Sequence, residues 1–221
     1  DLNAVLSTPS RPYPPQAPVP PIRRLERGPG PAGEPLRVAI VGAGPAALYA
    51  ADELLRQPGV EVTVFDRLPV PHGLARHGVA PDHLRTRSVT DLFALIEAQP
   101  GFAYRLGVEI GRDLAVDEVA AHHDAVIYAT GASTDRPLEI PGTDRYGSMS
   151  ATEVVSWYNA HPDHVDTAVP LDHERAVIVG NGNVALDVAR ILATPADALA
   201  GTDISPTALA ALRDSRVREV V

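Results

Sequence analysis

The sequence has no cysteine and no lysine, a single methionine and a single tryptophan, and aromatic residues make up only 5% of its 221 positions. Without cysteine there is no disulfide framework, no thiolate metal site and no paired-thiol redox centre within the chain. Any electrons it handles must therefore travel on a bound cofactor. No apolar run is long enough to span a bilayer, and no signal-peptide pattern opens the chain, so a cytoplasmic protein without membrane insertion is expected. The net charge of −9 argues against nucleic acid or an acidic membrane as a partner. Ser-His-Asp and Cys-His constellations are missing, which leaves side-chain nucleophiles out of the expected chemistry. No histidine pair has zinc-helix spacing with a carboxylate, so no metal site is expected.

The composition that is present, 45% hydrophobic and 21% charged, is that of a globular domain or two. Residues 1–35 stand apart. They hold Pro12, Pro14, Pro15, Pro18, Pro20, Pro21 and the Gly28-Pro29-Gly30-Pro31 run, a composition that favours extended geometry and suits a linker or a disordered tail. The chain opens on Asp1 and closes on Val217–Val221, which reads as the start of a buried strand; a piece of a longer protein is the expectation.

From Leu36 the pattern is β-α-β: an apolar run to Val41, helical spacing over 45–56, then β-branched residues from Val60 to Phe65. Further helices are expected over 88–98, 116–122, 151–158 and 184–192, the third opened by the capping box Ser150-Ala151-Thr152-Glu153. Ser205-Pro206 opens another. Strands are expected at 103–104, 108–110, 125–129 and 176–179.

One motif occurs twice. Gly42-Ala43-Gly44-Pro45-Ala46-Ala47 follows a strand and opens a helix. Gly42 permits the tight turn, Gly44 lets a diphosphate approach the backbone, and Ala47 lets the helix pack on the sheet. Free amides and the helix dipole then face the phosphates. Asp66, 22 residues after Gly44, ends the next strand, where a carboxylate accepts hydrogen bonds from a ribose. Gly180-Asn181-Gly182-Asn183-Val184-Ala185 repeats the arrangement after 176–179. Two such units predict two dinucleotides and an α/β fold with two Rossmann-like domains. The residues that select NAD or NADP should follow the second unit's next strand, beyond Val221.

With these strings in view, the chain resembles the NADPH–ferredoxin (adrenodoxin-type) reductase family from about Leu36 onward. The resemblance rests on Val41–Ala47, on Gly73-Leu-Ala-Arg-His-Gly-Val-Ala-Pro-Asp-His83, on Val108–Gly111, Ala129–Ala132 and Trp157–Asn159, and on Gly180-Asn-Gly-Asn-Val-Ala-Leu-Asp-Val-Ala-Arg190. It implies an FAD-dependent oxidoreductase that passes hydride from NADPH to FAD and then single electrons to a ferredoxin-type iron–sulfur protein. FAD would meet Ala46, Asp66, Leu74 and Ile110; the NADP diphosphate would meet Asn181, Gly182, Asn183 and Val184, with Arg136 adding a cation. His83 would be the catalytic residue, lying near the flavin ring where the family places a histidine implicated in the redox step. Asp66 departs from the family, which commonly has Glu there. The implied division is a linker at 1–35, the front of an FAD domain at 36–135 and the start of an NADP domain at 136–221. Residues 1–35 look like the tether to a ferredoxin domain fused upstream. The piece by itself is expected to be inactive and weakly stable. Two alternatives stay open: a flavin reductase like the glutamate-synthase small subunit, and a non-catalytic nucleotide-binding fragment. Arg76 either reaches a phosphate or pairs with an acid such as Asp82. Asp187 either caps or orients a local network, and Trp157 either lies near a cofactor or, as a lone Trp on a helix more often does, packs.

Overall fold

The computed structural model describes residues 33–132, 135 and 138–221. Four parallel strands form the first sheet: β1 (Leu36–Val41), β2 (Val60–Asp66), β3 (Phe102–Leu106) and β4 (Ala125–Tyr128), in the spatial order β3-β2-β1-β4. The central strand β1 is aligned with β2 from Leu36↔Val60 to Val41↔Phe65 and with β4 from Val38↔Ala125 to Val41↔Tyr128. Val38, Ala39, Ile40 and Val41 are all buried, so both faces of β1 are covered, as an apolar run in a parallel sheet requires.

Helices supply the cover. On one face α1 (Pro45–Leu55) and α4 (Val89–Glu97) pack Ala47, Leu48, Ala51, Phe93 and Ile96 against Val38, Ile40, Val62 and Val64. On the other, Val119 of α5 (Val116–His122) meets Ala39 and Phe65. Asp124 pins the start of β4 to β1: its carboxylate accepts from the Arg37 amide at 2.9 Å, and its own amide donates to the Arg37 carbonyl at 2.8 Å. Between β2 and α4, two single-turn helices, α2 (Leu74–His77) and α3 (Leu84–Arg87), carry the His-rich segment.

The second unit has α6 (Ala151–Tyr158), a 3₁₀ turn (Pro162–His164), β5 (Arg175–Ala176), α7 (Asn183–Ala193), α8 (Ala196–Leu199), α9 (Pro206–Arg213) and β6 (Glu219–Val220). β5 and β6 pair in parallel, and the ladder runs on through Ile178, whose amide donates to the Val221 carbonyl at 2.7 Å. The core lies between the helices: Trp157, Tyr158, Val188, Ile191, Leu199, Ile204, Ala208 and Leu212. Val177 and Val179 are 67% and 72% exposed. The capping box at Ser150 forms as expected, with Glu153 donating its amide to Ser150 Oγ at 3.1 Å and returning its carboxylate to the Ser150 amide. Ser205 Oγ likewise accepts from the Ala208 amide.

The structure corrects the strand expected at 108–110. Val108 still donates its amide to the Asp66 carbonyl at 2.9 Å, but beyond it the segment makes an isolated bridge, Ile110↔Leu114, because the Asp113 carboxylate takes the Glu109 amide and folds the chain into a turn. Among the described residues no helix is long and apolar enough to cross a membrane. Residues 1–32, most of the expected linker, lie outside the described residues.

Candidate functional site

The first glycine turn is held by backbone contact that no side chain permits. Gly42 has φ +106°, and a Cβ there would fall 2.3 Å from the Ala129 carbonyl oxygen. A side chain at position 42 would drive apart the ends of β1 and β4. Gly44 faces Gly73: a Cβ on Gly73 would sit 2.9 Å from the Gly44 Cα. Gly73, at φ +47°, therefore brings α2 against the turn. The Gly73 string was legible as part of a family motif, but its packing partner was not, since nothing in the spacing ties position 73 to position 44.

Helix α1 starts at Pro45 with no side-chain cap. Pro45 has no N–H, and the amides of Gly44, Ala46 and Ala47 have no acceptor among the described residues. Ala46 is exposed and Ala47 fully buried, so one turn offers an open amide surface while its neighbour seats the helix on the sheet. Such unpaired amides at a helix start form an anion site.

Asp66 is more committed than its expected role suggests. One carboxylate oxygen accepts from the Ala43 amide at 2.7 Å and the other from the Leu68 amide at 2.8 Å. The residue clamps the glycine turn to the end of β2. Each oxygen keeps a second lone pair, so the clamp leaves acceptor capacity toward a diol. Leu74 is 67% exposed at the start of α2, and Ile110 is half-buried beside Leu114.

The second turn is built differently. A Cβ on Gly180 (φ +147°) would meet the Ala185 Cβ at 3.3 Å, so the tight contact is with the following helix and not with another strand. Helix α7 again begins without a side-chain cap, at Gly182, and the amides of Asn183, Val184 and Ala185 have no acceptor among the described residues. Residues 180–184 are exposed. Both turns thus present the fixed amide dipoles that a diphosphate requires, with no side chain inside the cradle. Arg136 lies outside the described residues.

His83 sits at the start of α3, its side chain 43% exposed, with Nδ1 3.9 Å from Asp187 Oδ1. Asp187 in turn accepts from Arg190 Nη1 at 2.8 Å. Arg190 also grips Asp82 with a two-pronged contact, Nε to Oδ2 at 2.7 Å and Nη2 to Oδ1 at 2.8 Å. The guanidinium holds the Asp82 carboxyl below the usual carboxylate range. Asp187 therefore orients a network, the second of the two readings open for it. The partner of Asp82 is Arg190 and not Arg76; Arg76 donates to the Pro71 carbonyl instead. Trp157 is buried in the second core, as expected.

The seam between the two units carries further polar ties. Arg67 pairs with Asp163 at 2.6 Å, and Arg87 reaches Asp203, Asn159 and the Val79 carbonyl. His77 is buried there. Its Nδ1 donates to the Asn159 carbonyl at 3.3 Å, Nε2 has no partner among the described residues, and its ring lies 4.9 Å from that of His161. Burial pushes the His77 imidazole down to about 4. Sequence reading missed this contact because it joins residues 84 positions apart. Among the described residues, no three His, Asp or Glu side chains are grouped to hold a metal ion.

Residues 36–205 match the family model described as pyridine nucleotide-disulphide oxidoreductase. Over 188 residues the chain is 58% identical to a probable ferredoxin/ferredoxin–NADP reductase of Mycobacterium tuberculosis, an alignment that covers 85% of this chain and 33% of that protein. It is 46% identical over 193 residues to the NADPH-ferredoxin reductase FprA of the same organism, covering 85% and 42% of the two chains. A solved structure of M. tuberculosis FprA in complex with NADPH superposes with a TM-score of 0.82 at 45% identity, covering 85% of this chain and 42% of that one. The chain thus spans about a third of the length of the first of these relatives.

Proposed function

Since the chain belongs to the pyridine nucleotide-disulphide oxidoreductase family, we propose that it is the dinucleotide-binding front of an FAD-dependent NADPH–ferredoxin reductase. Residues 36–135 would contribute to the FAD domain and 136–221 to the NADP domain. The observation that carries this reading is the pair of uncapped helix starts at Gly44 and Gly182, each with unpaired amides behind a glycine turn. The family is named for a disulphide, but this chain has no cysteine, so thiol chemistry is not open to its residues.

Bound FAD would supply the redox chemistry, converting the two-electron hydride of NADPH into single electrons for an iron–sulfur protein. The work of this chain is placement. The Ala46 and Ala47 amides would hold the flavin diphosphate; Asp66, which clamps the turn, would accept from the adenosine ribose; Leu74 and Ile110 would supply apolar contact. Asn181, Gly182, Asn183 and Val184 hold the nicotinamide diphosphate, and Arg136 adds charge by its position in the sequence. His83, with Nδ1 3.9 Å from Asp187 Oδ1, stands at the seam between the two units. The acceptor is a ferredoxin-type protein, and the Pro-rich residues 1–35 suit a tether to such a domain upstream. A cytoplasmic setting, where reduced nicotinamide nucleotides are kept, goes with this reading.

The test uses the full-length protein. It should purify with a visible flavin band that NADPH bleaches anaerobically much faster than NADH, and the reduced protein should then reduce a ferredoxin. A colourless protein, or a flavin band that NADPH leaves intact, would refute the proposal.

A further inference from the structure

A second feature begins beside the first glycine turn, where His72 donates its amide to the Ala43 carbonyl at 2.8 Å, and runs from there to the seam. At the seam a cavity of about 320 Å3 is lined by His72, Ala75, Arg76, Arg87, Thr90 and Asp203. Of these residues Arg76 alone carried a sequence expectation of reaching a phosphate. Two guanidinium groups face one cavity in a chain whose net charge is −9, so the local charge runs against the global one.

The two cations are not neutralised to the same degree. Arg76 donates through Nε to the Pro71 carbonyl at 3.0 Å and, among the described residues, makes no ion pair. Its terminal nitrogens remain as donors. Arg87 is largely buried, and Nη1 is committed to Val79 and Asn159. Among the described residues its charge is met only by Asp203, 3.1 Å from Nε, whose side chain is 63% exposed at the rim. His72 is held at Nε2 by Glu97 at 2.7 Å, which fixes the wall of the cavity. The site thus offers one unpaired guanidinium, and a second whose counter-charge is a solvated carboxylate that can swing away. Planar guanidinium forks suit the oxygens of a phosphoryl group. The volume exceeds that of inorganic phosphate and leaves room for a small organic tail.

We propose that this cavity binds a small phosphoryl anion, a phosphomonoester of metabolite size, between Arg76 and Arg87. Asp203 acts as a built-in competitor. The entering anion takes the Nε of Arg87, and Asp203, which comes from the second unit, is released. Binding would therefore undo one of the polar ties across the seam. The proposal is independent of the dinucleotide reading.

The probe is inorganic phosphate, titrated by calorimetry or 31P line broadening at constant ionic strength. The full chain is used with saturating FAD and NADP, so that other diphosphate sites are occupied. Arg76→Gln should weaken phosphate at least about tenfold, the loss of roughly one charge-assisted bond. Asp203→Asn should tighten it about threefold, since the competitor no longer carries charge. The opposite signs separate a built site from general attraction to arginine. Wild-type affinity in Arg76→Gln overturns the proposal. Should Arg76→Gln fail to fold, Asp203→Asn decides alone, because the residue is exposed: unchanged or weaker binding, or no binding to either wild type or Asp203→Asn, overturns it as well.

Discussion

Lowering the pH from 7 to 5 is expected to weaken the seam between the two units, and His77 is the group to follow. Its Nδ1 donates to the Asn159 carbonyl, so the neutral ring keeps its bare nitrogen at Nε2, which is buried and unpartnered. A proton there would add charge beside His161 and within the field of Arg76 and Arg87, with no acceptor to receive it. The folded ring titrates at about 4, against 6.5 when exposed. Above pH 6.5 both states are neutral and the group has no effect on stability. As pH falls below 6.5 the unfolded chain takes up the proton and the folded chain does not, so stability is lost progressively down to about pH 4. At pH 5 the loss has a ceiling of about 2 kcal/mol, and dielectric relaxation around the ring brings it to roughly 1 kcal/mol. For a chain of this size that corresponds to a fall in Tm of about 2–4 °C. His161, also held below its ordinary value by burial, adds in the same direction. Asp82 and Asp163, held low by their arginines, lose stability only at more acid pH, which leaves the window clear. The assay compares thermal unfolding of the wild type with that of His77→Gln, which keeps a donor but cannot titrate. The variant should lose less Tm between pH 7 and 5. Parallel curves for the two proteins would refute the reasoning.

Three further outcomes are expected. Gly42→Ala should destabilise the first sheet by about 2–4 kcal/mol in denaturant unfolding, because its Cβ meets the Ala129 carbonyl at 2.3 Å in a positive-φ turn. Asp66→Asn should cost about 1–3 kcal/mol and release bound flavin on dialysis, since its amide nitrogen cannot accept from the Ala43 or the Leu68 amide. Phe93→Ala, a fully buried ring against the central strands, should cost about 3–5 kcal/mol by chemical denaturation while leaving nicotinamide binding unchanged.

The elements that local pattern dictates were legible in the sequence. Leu36–Val41 had to be a strand buried on both faces, and Ser150 and Ser205 had to cap helices, because each rests on residues a few positions apart. Both glycine turns were legible for the same reason. What could not be read was which backbone each glycine meets. A side chain at Gly42 would run into Ala129, one at Gly73 into Gly44, and one at Gly180 into Ala185, and the first two approaches join distant segments. The strand expected at 108–110 failed because alternation of apolar residues there reports a half-covered turn as well as a strand; the Asp113 carboxylate decided between them. The site residue with the least sequence signal was Arg190. An arginine three residues after an aspartate on a helix reads as a surface pair, and nothing local indicates that its other prong reaches Asp82.

That prong has a mechanical meaning. The helix that starts at the second glycine turn carries Arg190 two turns further along, about 10 Å down its axis. A tilt of this rod by ten degrees about its first residue would move the guanidinium by roughly 2 Å, more than a hydrogen bond tolerates. Whatever seats itself at the rod's front end thus has leverage over the loop at its back, and the imidazole of His83 can be aimed no more accurately than the rod is stiff.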